Sequence, residues 1–416
     1  MASALGAFWS IFVGLLYWVT GILAMITGCD AFVTVLQGLN NAWFPEPWQQ
    51  GLVILAVMLT STVICLQRIR TVQNIVNFIV IAVLVSVALL VAGACIWIFK
   101  GHPVQTDFFH ASSWSISPSS YFFIGIITLN FIGASGPLTL AGEFKGAQGN
   151  EALRRSIVRQ HLKWGSLCVF ALYFLVALSV LVVRGQAMNN AVVLPFEGFA
   201  AVDASLGKLV GNVAVIGFLL YCFASAIFYS TISSRVLMAA SIDRHLPISL
   251  ARLNKVRIPQ NALLFQFFFA SLIVIVVFIV APLAIKIAGS AANTSTLFYN
   301  VLSASLTLVW TFTTLFFFIN IIALYRQNAQ RIVANRAVSP WLLWLSVIVG
   351  GVACIITVVL ILAFSWIPTL LQNGQWSLFV GGLSFVVIVI SGCIGIYANG
   401  EAVWQAASRT ISETNM

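Results

Sequence analysis

The chain has 416 residues, of which 61% are hydrophobic and only 7% charged, with a mean hydropathy of +1.04. That composition excludes a soluble globular domain and points to a multi-spanning membrane protein. The formal charge of +10 therefore bears on orientation in a bilayer rather than on nucleic acid.

The start, MASALGAFWS, lacks a positive n-region, so the first apolar run reads as a retained span and not as a secretory signal. Runs long enough to cross about 30 Å of hydrocarbon predict an all-α membrane protein of about ten transmembrane helices. They cover 8–36, 50–67, 75–99, 120–142, 164–183, 209–232, 261–285, 296–325, 341–366 and 376–398. An even number puts both termini on one side. With the N-terminus inside, only Lys100, Arg184, Lys208 and Lys286 of the 20 Lys and Arg residues face out. That bias predicts cytoplasmic termini in a cell membrane.

In the first span, Asp30 is the only acid well inside an apolar run. A carboxylate at depth is costly, so it faces a cavity, pairs with a partner, takes up a proton or binds a cationic substrate group. The plainer alternative is a place near the outer interface with local hydrogen bonds.

The fourth span is interrupted by Gly133-Ala134-Ser135-Gly136-Pro137. At about 1.5 Å per residue the break sits close to the bilayer midplane. Pro137 has no N–H and crowds the carbonyl four residues back, while the glycines relax the backbone. Main-chain groups freed in this way must be satisfied by protein, water or ligand. As a site, the run Asn130, Phe131, Ile132, Gly133, Ala134, Ser135 and Gly136 would hold the charged ends of a zwitterion, with half-helix dipoles adding a favourable field. As packing, it is a kink of the kind Gly and Pro bring to membrane helices.

Beyond it, Glu143 precedes a basic cytoplasmic loop, and 233–260 mixes apolar residues with Arg and Lys. The latter either lies along the membrane surface or is a plain loop. Arg235 and Asp243, about two helical turns apart, would anchor an inner gate, although positive-inside placement explains Arg235 as well. Seven widely spaced cysteines, no histidine within a span and no nucleotide-binding glycine loop argue against a metal centre, a disulfide framework, an enzyme or a primary pump.

Two cytoplasmic boundaries carry a family pattern. Phe131 to Ser135, then Leu140-Ala141-Gly142-Glu143-Phe144-Lys145-Gly146 and Leu153-Arg154-Arg155-Ser156-Ile157, resembles the sixth helix of amino acid permeases and the loop after it. Ser234 to Pro247, then Leu253-Asn254-Lys255 and Ile258-Pro259, is similar to the loop after their eighth helix, with Ile242 and His245 departing from the usual arginine and glycine. Phe8-Trp9 to Leu36 is similar to the third helix. The chain is thus identified as a member of the amino acid-polyamine-organocation superfamily over essentially its whole length.

The resemblance implies a five-plus-five inverted-repeat transporter fold with two extra C-terminal helices, here incomplete because the first two helices have no counterpart. Residues 8–99 would be the last three helices of the first repeat, 120–325 the second repeat and 341–398 the C-terminal pair. It implies a secondary permease for amino acids or related amines, working by alternating access, with Glu143 in a gate or loop-ordering contact; an exposed surface ion pair is the plainer reading of Glu143. A non-transporting or truncated scaffold, sensor or accessory subunit of the same fold is the competing expectation. In sodium-coupled relatives, hydroxyls near Ser230 and Thr231 help hold the ion, whereas back-bonding to helix carbonyls is their ordinary use. Proton-coupled relatives use a lysine in the fifth helix, and 75–99 contains none before Lys100. The coupling ion, H+ or Na+, and the oligomeric state stay open; small-molecule substrate and lipid are the expected partners.

Overall fold

The computed structural model describes residues 5–40, 43–110, 114–115, 117–136, 139–140, 151–185, 194–284, 291–335 and 339–414. Pro137, Glu143 and Lys145 lie outside them. In hydrocarbon each backbone N–H and C=O has to find its partner within its own segment, and a helix does this. Among the described residues there is no strand, and nine helices are long and apolar enough to cross a membrane.

In chain order the helices are α1 (Ala7–Leu39), α2 (Pro47–Cys65), α3 (Ile69–Phe99), α4 (Phe122–Leu129), α5 (Glu151–Arg184), α6 (Leu194–Leu206), α7 (Lys208–Ile242), α8 (Gln260–Ile275), α9 (Ala291–Asn335), α10 (Pro340–Ala363) and α11 (Asn373–Thr414). Local chemistry marks several starts. Pro47 opens α2 behind a reciprocal capping box between Glu46 and Gln49, and Ser339 accepts the Leu342 N–H ahead of Pro340 in α10. Helix α8 continues through a π turn, Val276–Val280, into Ala281–Ala284. Pro282 explains the turn: it lacks the N–H that would bond the Phe278 carbonyl and its ring crowds that turn.

Two segments differ from the sequence expectation. The run 120–142, expected to break at Gly133 to Pro137, leaves the helix earlier: α4 ends at Leu129 after eight residues and turns follow it. Helix α6, by contrast, was expected to be loop. It is too short to span, but Ala201 and Val202 bury against Leu90, Ala94, Val183 and Ala214 of its neighbours. Its Glu197 pairs with Arg184 at 2.7 Å.

The centre of the bundle is α1. At about 1.5 Å per residue its 33 residues run about 50 Å, and it is the most buried of the spanning helices. It is apolar on every side, as a helix enclosed by other helices must be. Its main neighbour is α7, followed by α9, α11, α2 and α8. Ile22, Met25, Ile26 and Val33 of α1 pack with Ile54 and Met58 of α2, Leu237 of α7, Ala270 and Val274 of α8 and Leu302 of α9. The outer helices α3, α8, α10 and α11 turn Phe78, Phe268, Ile348 and Phe385 outward, a surface suited to lipid. A third cluster, built on Ile361, Trp366 and Trp376, holds Phe122, Ile126 and Leu129 and so fixes the start of the broken segment.

Candidate functional site

After Leu129 the helix tightens. The N–H groups of Asn130, Phe131 and Ile132 bond carbonyls three residues back at 3.0–3.1 Å, as do those of Ala134 and Gly136 at 3.2 and 2.9 Å. Gly133 has φ +99°, a conformation from which side chains with a Cβ are repelled. These turns replace the four-residue ladder, so several carbonyls point away from the axis.

Three tyrosines from three helices meet this run, two at its carbonyls and one at the Ser135 hydroxyl. The Tyr173 hydroxyl of α5 donates to the Asn130 carbonyl at 3.1 Å, and the Tyr229 hydroxyl of α7 donates to the Ile132 carbonyl at 3.0 Å. Tyr17 Oη of α1 lies 3.2 Å from Ser135 Oγ. A phenol suits this position because its ring packs in apolar surroundings while its O–H finds a polar partner. The tyrosines were not singled out from sequence; a polar tip inside an apolar run was the available signal. Asn130 turns inward on its own helix, its side-chain amide donating to the Ile126 carbonyl at 2.9 Å. Phe131 is exposed and Gly136 buried. The Tyr229→Phe variant keeps the ring and loses one hydrogen bond, so thermal unfolding in detergent should show a loss of about 0.5–1.5 kcal/mol.

Asp30 stands elsewhere. It is fully buried in α1, and neither carboxylate oxygen has a hydrogen-bond partner among the described residues. Among the described residues no hydrogen bond joins it to the break. Cys29 is its chain neighbour, and Tyr299 of α9 lies within its electrostatic reach.

Ser230 and Thr231 do not converge. Ser230 Oγ donates to Met25 Sδ of α1 at 2.9 Å, while Thr231 Oγ1 lies 3.4 Å from Cys65 Sγ of α2. Adjacent residues on a helix point about 100° apart, so the two hydroxyls serve different interfaces. Arg235 is buried inside α7, which runs ten residues past the expected end of that span, and donates to the Thr231 carbonyl at 3.1 Å. Asp243 is exposed at the end of the helix. No ion pair between Arg235 and Asp243 occurs among the described residues. No group of His, Cys, Asp and Glu able to hold a metal occurs among the described residues either.

No curated protein closely matches the chain. The sequence profile described as amino acid permease matches residues 1–393, a span that contains the broken segment, its three tyrosines and every spanning helix but the end of α11. The chain belongs to the amino acid permease family of the amino acid-polyamine-organocation superfamily, and is a multi-pass integral membrane protein of a transporter family.

Proposed function

We propose that this permease is a secondary active transporter that moves an amino acid or related amine across the cytoplasmic membrane by alternating access around the break after α4. The observation that carries the reading is the unwound run Asn130 to Gly136, whose carbonyls and hydroxyl are met by phenols from α1, α5 and α7. Free carbonyls suit a substrate ammonium, and phenolic O–H groups released from them suit a carboxylate. In this reading the tyrosines hold the empty site and exchange partners when substrate enters. No catalytic and no metal-binding residue is assigned.

Residues 8–99 and 120–325 would form the parts of two inverted repeats, with 341–398 appended. The packing of α1 against α7 supports this, since the two would hold equivalent places in the repeats and form the most extensive helix pair. The positive-inside bias supports cytoplasmic termini.

Purified full-length protein in proteoliposomes tests the function directly. Saturable uptake of at least one labelled amino acid or amine, competed by the unlabelled compound, is expected. A folded protein that moves nothing across a broad panel would be a scaffold or sensor of the same fold, and the transport reading would fall.

A further inference from the structure

The buried aspartate of α1 plays no part in the site just described, and its surroundings restrict what it can bind. Helices α7, α9, α11, α2 and α8 pack against α1. Among the described side chains, the titratable groups they bring are Lys208, Tyr221, Cys222, Tyr229 and Arg235 on α7 with Asp243 at its C-cap, Tyr299, Tyr325 and Arg326 on α9, Cys65 on α2, and Cys393 and Tyr397 on α11. Helix α8 brings none, and α1 itself adds Tyr17 and Cys29. Around Asp30 the electrostatic neighbours are Cys29 and Tyr299, with Cys222 beside both of those. None of the three is a cation. Arg235 is 13 residues along α7 from Cys222, roughly 20 Å at helical rise.

Three occupants can satisfy a buried carboxylate: a metal cation, an amine or a proton. A metal cation needs several ligands gathered close around it, whereas no group of His, Cys, Asp and Glu able to hold one occurs among the described residues. A substrate amine needs open surface, and Asp30 is 0% exposed. A proton needs no room and no further ligand. It also removes the charge, whose burial without a partner costs several kcal/mol.

We propose that Asp30 is a proton-binding site that switches the packing of α1: the closed arrangement described here holds the neutral acid, and the carboxylate belongs to an arrangement in which water reaches α1. On opening, the O–H bond breaks and the proton passes to that water; on closing, a proton from water re-forms it. The closed arrangement holds one more proton, so it is favoured at low pH and lost as pH rises, by about tenfold in the closed-to-open ratio per pH unit. The part this plays in transport rests on the function proposed above; the proton site does not.

Two readouts on the full-length protein in lipid test it. The infrared spectrum at neutral pH should contain the carbonyl band of a buried protonated carboxylic acid, absent from Asp30→Asn and displaced in Asp30→Glu. Cys29 and Cys222, both buried, serve as native reporters. Their alkylation, mapped by mass spectrometry, should rise with pH more steeply in the wild type than in Asp30→Asn, by a further factor of up to about ten per pH unit, since in the variant only thiol ionisation contributes. An ionised Asp30 at neutral pH, or identical labelling profiles in the two proteins, would overturn the proposal. Absence of uptake by wild-type protein would remove the transport reading and leave both readouts to decide the proton site.

Discussion

Replacing Gly133 with leucine should abolish saturable uptake while leaving a folded protein. Two separate costs act at this one position. Its φ of +99° is strained for any residue with a Cβ, at about 1–3 kcal/mol. A Cβ there would also stand 2.8 Å from Tyr229 Oη and 3.6 Å from a ring carbon of Phe228, so leucine displaces the phenol that meets the Ile132 carbonyl. Gly133→Ala carries the same Cβ towards Tyr229 Oη without leucine's further carbons, and it keeps the full backbone cost. At about 1.4 kcal/mol per factor of ten, that cost alone reduces the competent population roughly 5- to 150-fold. The bulk of α4 and its packing on Trp366 and Trp376 lie upstream of the change, so the thermal midpoint should move little compared with uptake. Initial rates for wild type, alanine and leucine variants, measured beside their unfolding curves, check both halves. Undiminished uptake by the alanine variant would show that the backbone conformation at Gly133 is not part of the working site.

The same residues show how far the sequence can be read. The spans were legible because about 20 apolar residues in a row have few other uses, and the break was legible because Gly and Pro disrupt a helix by known sterics. The short helix α6 was not. Its Ala201 and Val202 are buried by neighbours distant in sequence, and a helix that does not cross the bilayer leaves no run of diagnostic length. The site was visible on one wall only. Asn130 to Gly136 could be named from local chemistry, but Tyr17, Tyr173 and Tyr229 come from three other helices, and only the fold brings them to the broken segment. Arg235 shows the opposite limit. Charge counting put it in a loop, whereas α7 runs on to Ile242 and buries it against its own backbone carbonyl. Hydropathy ends a span where polarity begins, but a helix shielded by neighbours continues past that point.

The other large effect should fall on stability. Helices α1 and α7 run antiparallel, with Gly21 beside Ser233, Met25 beside Ser230 and Gly28 beside Ser225 and Cys222. Lipid tails are as apolar as leucine, so burial alone gives two membrane helices little reason to associate; close approach through small residues does. Gly21 and Gly28 are seven residues apart and therefore share a face. A Cβ on Gly21 would stand 3.1 Å from Ser233 Cβ and collide with its hydroxyl, and one on Gly28 would stand 3.5 Å from the Cys222 carbonyl oxygen and collide with the Ser225 hydroxyl. Serine hydroxyls can rotate aside for an alanine. They cannot clear the further carbons of a leucine, and overpacking of this kind costs about 1–3 kcal/mol per site. Gly14 lies on the same helix, and a Cβ there would meet nothing within 4 Å. Gly14→Leu should therefore leave the thermal midpoint near the wild-type value, Gly21→Leu and Gly28→Leu should each lower it clearly, and the double variant should fail to give monodisperse protein. If all three single variants behaved alike, the α1–α7 contact would not be the support on which the broken segment is held. If they divide as expected, close approach through small residues is what holds α1 on α7 in the closed arrangement.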